Sequence, residues 1–75
     1  MIGIIVKVEK GLGETLSQEL RQKAHIRIQA VKDDRIALIL DTDDLHILAS
    51  SAKECEEMNG VLGVYPVFSG EFLVL

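Results

Sequence analysis

Several residue types that commonly carry chemistry or recognition are scarce in this chain of 75 residues. Cys55 is the one cysteine, so the chain cannot form an internal disulfide and offers no pair of thiols to a metal. Tryptophan is absent, the aromatic residues are Tyr65, Phe68 and Phe72, and lysine and arginine form no cluster. Binding to nucleic acid needs a basic surface and stacking aromatics, so nucleic acid is not an expected partner.

Long apolar runs are also absent. No segment approaches the roughly 20 apolar residues that a membrane-spanning helix needs. The stretch from Met1 to Ile5 lacks the basic region of a secretory signal peptide. We therefore expect a soluble, cytoplasmic protein with no membrane insertion. Its net charge of −4 suits a basic peptide partner better than nucleic acid.

Apolar residues make up 48% of the chain, which is enough for one globular domain over residues 1–75. Residues 2–8 alternate as a strand, with Ile2, Ile4, Val6 and Val8 on one face and Ile5 with Gly3 on the other. Residues 35–41 repeat this arrangement. Both strands are apolar on both faces, which predicts that they lie at the centre of a sheet.

The remaining elements follow from periodicity and turn residues. Leucines four residues apart predict a helix over 14–23, and residues 25–32 alternate as an edge strand with Ile26, Ile28 and Ala30 facing inward. A second helix is expected from Asp41–Asp44 to Asn59–Gly60, with Asp41 or Thr42 capping it. Its inward stripe comprises Leu45, Leu48, Ala49, Ala52, Cys55 and Met58. A fourth strand over 61–68 and a possible short fifth strand over 71–75 complete the chain.

The order strand, helix, strand, strand, helix, strand predicts an α+β, ferredoxin-like βαββαβ sandwich with an antiparallel sheet in the order 4-1-3-2. Two helices cover only one face of such a sheet, so the other face is left open with an apolar centre and a charged rim. The residues expected to bind a partner there are Ile5, Lys7, Glu9, Ala37, Ile39, Asp41, Tyr65 and Val67. A homodimer through the open sheet face accounts for the same residues.

Catalytic and metal-binding patterns are weak. If the loop over residues 11–14 held a phosphate, the Glu14 carboxylate would lie beside that anion and repel it. We therefore do not expect an enzyme. His25 and His46 lie on different elements without a third ligand, and Asp43–Asp44 suits helix capping. We expect no cofactor and no metal. The alternative to peptide binding is a small-ligand-binding regulatory or dimerisation module, in which Gly11, Gly13 and Gly63 would form ligand-contacting turns.

The segment from Cys55 to Phe68 runs a helix through Asn-Gly-Val-Leu-Gly-Val into an apolar strand with an aromatic residue. Together with residues 4–8 and 35–40, it resembles the NapD-type assembly chaperones over nearly the whole chain. The segment Gly11–Gly13 departs from that pattern, in which a Pro/Asp-type helix start is expected. The apolar residues that follow Gly70 depart from it as well.

The resemblance implies a cytoplasmic chaperone for the catalytic subunit of the periplasmic nitrate reductase, a molybdenum-containing oxidoreductase. Such chaperones bind the twin-arginine signal peptide and delay export while the molybdenum cofactor is inserted. In this chain, Glu9 and Asp41 are the carboxylates expected to bind the arginines. The apolar part of the peptide is expected to pack on the apolar side chains Ile5, Ile39, Tyr65 and Val67.

Overall fold

The computed structural model describes residues 1–67, which form one four-stranded antiparallel sheet and two helices. The elements are β1 Ile2–Val8, α1 Gly13–Arg21, β2 Ile26–Val31, β3 Arg35–Leu40, α2 Leu45–Glu57 and β4 Val61–Val67. The sheet order β2-β3-β1-β4 confirms the predicted ferredoxin-like topology. The predicted fifth strand lies outside the described residues. Neither helix within residues 1–67 is long and apolar enough to cross a membrane.

The core lies between the two helices and one face of the sheet. The central strands β1 and β3 supply most of it, because alternate residues of each strand point toward the helices. Helix α1 adds two leucines that are one helical turn apart, and α2 adds a buried cysteine. The buried core residues are Ile4, Val6, Val8, Leu16, Leu20, Ile36, Leu38, Leu40 and Cys55.

Strand β2 contains an irregularity that the alternating pattern does not reveal. Ile28 pairs with Leu38, but Ala30 pairs with Ala37 because the register shifts between residues 28 and 30. A bulge of this kind reverses the facing of every later residue in the strand. The prediction that Ala30 faces inward is therefore wrong, and Val31 packs against the core in its place.

Helix α2 begins later than expected. The Asp44 side chain caps it by accepting hydrogen bonds from the backbone N–H groups of His46 at 2.8 Å and Ile47 at 3.2 Å. The prediction of Asp41 or Thr42 as the cap is wrong, because both lie at least three residues before the first helical residue, Leu45, whereas the expectation that Asp43–Asp44 suits helix capping is confirmed for Asp44. Thr42 instead accepts a hydrogen bond from the backbone N–H of Asp44.

The predicted inward stripe of α2 is only partly confirmed. Cys55 is buried and Leu48, Ala52 and Met58 pack against the core, but Leu45 is 78% exposed and Ala49 is exposed as well. The helix packs mainly on the edge strand β4. Its N-terminal half therefore does not close over β1, and a groove remains between them.

The loop from β1 to α1 fits tightly against the β2–β3 turn. The backbone N–H groups of Gly11 and Gly13 both donate to the carbonyl oxygen of Asp33. A Cβ atom on Gly13 would overlap the carbonyl oxygen of Lys32, so only glycine fits there. The Gly11–Gly13 loop thus anchors the β2–β3 hairpin.

Candidate functional site

The face of the sheet away from the helices, here called the open face, is organised in three rows across β3, β1 and β4. Strand pairing places Gly3 between Ile39 and Val67 in the first row and Ile5 between Ala37 and Tyr65 in the second. The third row places Lys7 between Arg35 and Gly63. Since two residues advance a strand by about 6.7 Å, the first and third rows lie roughly 13 Å apart.

The first two rows form an apolar strip that is accessible in the monomer. Ile5, Ile39 and Val67 are partly exposed, and Tyr65 is 54% exposed. Gly3 has no side chain, so it leaves a hollow between Ile39 and Val67. Ala37 is only 1% exposed, because larger neighbours cover its single methyl group. Ala37 therefore forms the floor of the strip and offers little surface of its own.

The two carboxylates expected at the rim occupy different environments. Asp41 follows β3, and its carboxylate accepts a hydrogen bond from Arg27 on β2 at 3.2 Å. Glu9 follows β1, and its carboxylate lies near the α2–β4 connection at Gly60. The structure thus brings Asp41 to the end of the apolar strip next to Ile39, whereas it does not bring Glu9 among the apolar side chains.

The opposite end of the open face is cationic. Lys7 and Arg35 are direct cross-strand partners, and a cavity of about 210 Å³ opens beside them. Its lining residues are Ile5, Lys7, Asp34, Arg35 and Tyr65. The Tyr65 ring lies across Gly63, since a Cβ atom on Gly63 would come within 2.5 Å of the tyrosine hydroxyl. The phenol is therefore held over the row that contains Lys7.

A second apolar surface, which the sequence reasoning missed, lies on the helical side of the sheet. A groove of about 330 Å³ runs between α2 and strands β1, β3 and β4. Among the described residues 1–67, its lining contains one charged residue, Glu56, and otherwise comprises Ile2, Ile4, Leu40, Leu45, Leu48, Ala49, Ala52, Val64 and Pro66. The helical spacing of Leu45 and Ala49 predicted burial and could not reveal that α2 sits toward the edge of the sheet.

The thiol of Cys55 and the carboxyl of Asp43 lie outside the open face, and their environments shift their pKa values in opposite directions. Cys55 is fully buried, and this burial raises the pKa of its thiol, so the reactive thiolate is disfavoured. A hydrogen bond from the Met1 amine, and then the positive charge of that amine, lower the pKa of the Asp43 carboxyl. Within residues 1–67, no three His, Cys, Asp or Glu side chains lie close enough together to hold a metal ion.

The glycines of the regulatory-module alternative also have identified environments. Gly13 packs against the Lys32 carbonyl and Gly63 packs under the Tyr65 ring, while Gly11 has a φ of 90° at an exposed turn. Comparison with protein-family models, with curated proteins and with solved structures gives no match to this chain. The accessible apolar surfaces on the two faces of the sheet are therefore the features from which a function can be inferred.

Proposed function

We propose that the open face binds the twin-arginine signal peptide of a molybdenum-containing oxidoreductase, the catalytic subunit of a periplasmic nitrate reductase, as a cytoplasmic assembly chaperone. The observation that carries the proposal is the apolar strip of Ile5, Ile39, Tyr65 and Val67, which the monomer leaves accessible. A signal peptide of this class joins two adjacent arginines to an apolar run. The identity of the client follows from the resemblance of the chain to NapD-type chaperones.

The apolar strip is large enough to account for reversible binding. If a peptide removes roughly 400 Å² of apolar surface from water, the gain at about 25 cal/mol per Å² is about 10 kcal/mol. Association opposes this with about 4–15 kcal/mol of lost freedom and ordering. The difference leaves at most about 6 kcal/mol, which corresponds to a Kd of tens of micromolar or weaker unless polar contacts add to it. Such binding suits a chaperone that must release its client.

The charges of the open face orient the peptide. Lys7 and Arg35 repel arginines from the third row, whereas Asp41 offers a carboxylate beside Ile39. That carboxylate already pairs with Arg27, but the pair is exposed and such pairs contribute only about 0–1 kcal/mol. An arginine of the peptide exchanges with Arg27 at little cost. The arginines therefore lie at the Asp41 end, and the apolar run crosses the strip toward Tyr65.

Replacing Ile39 with Asn tests this function. Ile39 is partly exposed, so Ile39→Asn should lower the free energy of unfolding by only about 1–2 kcal/mol. It should weaken binding of a synthetic twin-arginine signal peptide at least tenfold, because a neutral polar amide would be buried against the apolar run and would add no charge for the arginines. Isothermal titration calorimetry measures the affinity, and urea unfolding measures the stability.

Leu45→Asn is the matched control, because Leu45 is an exposed apolar residue on the helical side of the sheet. Its affinity for the peptide should stay within twofold of the wild type. Equal loss of binding in both variants would contradict the proposal. Sedimentation tests the dimer: if Ile39→Asn converts a stable dimer to a monomer and the wild type binds no peptide, the open face is a dimer interface instead.

A further inference from the structure

We propose that the cationic end of the open face, formed by Lys7, Arg35 and the Tyr65 hydroxyl, is a carboxylate-binding subsite for a group that carries an apolar chain. It is distinct from the Asp41 end, where the proposed function places the arginines. The inference stands without the proposed function, because a small organic acid alone can test it.

The like charges of Lys7 and Arg35 favour a bound anion at this end of the open face. Lys7 and Arg35 are directly opposite each other on adjacent antiparallel strands, and like charges in that position destabilise a sheet. Within residues 1–67, Lys7 makes no ion pair, and Arg35 donates only its Nε–H, to Asp34 at 3.3 Å. The terminal guanidinium N–H groups of Arg35 are left for another acceptor. A bound carboxylate would relieve the repulsion and accept charge-assisted hydrogen bonds from both side chains.

The lining of the cavity beside these two cations favours a ligand that also has an apolar part. The two cations line a cavity of about 210 Å³ together with Ile5, Asp34 and Tyr65. The Tyr65 ring lies across Gly63, which places its hydroxyl near the Lys7 row. The lining thus combines charged donors with apolar surface. Such a pairing selects a carboxylate attached to a short aliphatic chain rather than a fully hydrated inorganic anion.

Asp34 limits the charge of the ligand. With Lys7 and Arg35 it leaves the cavity with a formal charge of +1, which matches a monoanion better than a phosphate dianion. The carboxylate can belong to a free organic acid or to an acidic residue of a polypeptide. The chemistry is shared, and the two sources differ in how much neighbouring chain contacts the apolar strip.

The experiment is a titration of the full chain, labelled for NMR, with 4-methylpentanoate at constant ionic strength. The neutral 4-methylpentanamide serves as the matched probe, since it keeps the apolar chain and loses the charge. We expect the acid to shift the Ile5 methyl and Tyr65 ring signals with a Kd on the order of 1–10 mM. The amide should bind at least tenfold more weakly. Equal shifts from both probes would overturn the proposal.

Two exposed lysines provide the matched variants. Lys7→Gln should weaken binding of the acid about tenfold, because a charged hydrogen bond is lost. Lys53→Gln, which removes the same charge from α2, should change it less than twofold. A similar loss in both variants would reduce the effect to net charge and refute a subsite.

A third arm identifies the source of the carboxylate. The probe is an acetylated, amidated pentapeptide with one glutamate among leucines, compared with the same peptide containing glutamine. Tenfold tighter binding of the glutamate peptide than of 4-methylpentanoate, lost in Lys7→Gln, supports a polypeptide source. Equal affinity of the two acids supports a free organic acid. Equal binding of the glutamate and glutamine peptides counts against the subsite.

Discussion

His25 adopts a backbone φ of 67°, a left-handed conformation that residues with a side chain seldom occupy. It immediately precedes β2, and its carbonyl oxygen accepts a hydrogen bond from the backbone N–H of Asp41 at 2.7 Å. This bond joins the start of β2 to the residue that follows β3. Because the imidazole is exposed, the conformation and not the side chain is the structural contribution of His25.

Substitution of His25 separates these two contributions. His25→Gly should be at least as stable as the wild type, because glycine enters the left-handed region without steric cost. His25→Val should lower the free energy of unfolding by about 1–2 kcal/mol, since a β-branched residue is strained there. Urea unfolding of both variants measures the difference. A valine variant as stable as the glycine variant would show that residue 25 does not adopt this conformation.

The sequence predicts single residues best where one rule dominates. Alternation correctly placed Ile4, Val6 and Val8 in the core, because β1 is regular throughout its inward-facing residues. It failed at Ala30, because the bulge in β2 depends on pairing with β3 and has no local signal. The burial of Ala37 could not be predicted from the sequence either, since it depends on the size of its neighbours across the strands.

The elements themselves were predictable, but their placement was not. Strand β1 was predicted with its observed bounds, and each of the other elements starts or ends within a few residues of the prediction. The lateral position of α2 on the sheet is a tertiary property. It depends on how α1, which packs on β2 and β3, shares the sheet with α2 on β4. Periodicity therefore could not distinguish a buried Leu45 from a residue that lines a groove.

Gly13 provides a test at the level of the element, because it begins α1 and touches the β2–β3 turn. Gly13→Ala should lower the free energy of unfolding by about 2–3 kcal/mol, because its methyl group would overlap the Lys32 carbonyl. Thr15→Ala is the control in the same helical turn, where an exposed side chain should change stability by less than about 0.5 kcal/mol. Thermal and urea unfolding measure both. Similar stability of the two variants would contradict the tight loop.

The whole molecule has apolar surface on both sides of a single sheet. The helices bury most of one side, and the open face remains accessible across β3, β1 and β4. The two ends of the open face also differ in charge. The oppositely charged Arg27–Asp41 pair lies at one end, and the two cations Lys7 and Arg35 lie at the other. The sequence predicted the existence of this face, because it follows from topology. The asymmetry of its charges emerged only from the strand register.

The most direct measurement of the central claim is a map of amide and methyl chemical shifts on titration with a twin-arginine signal peptide. We expect saturable shifts concentrated at Ile5, Ile39 and Tyr65, and we expect the shifts at the Asp41 end to change when the peptide arginines are replaced by glutamine. Leu45 and Ala49 in the helical groove should stay unchanged. Shifts confined to that groove, or no saturable shifts at all, would contradict the account.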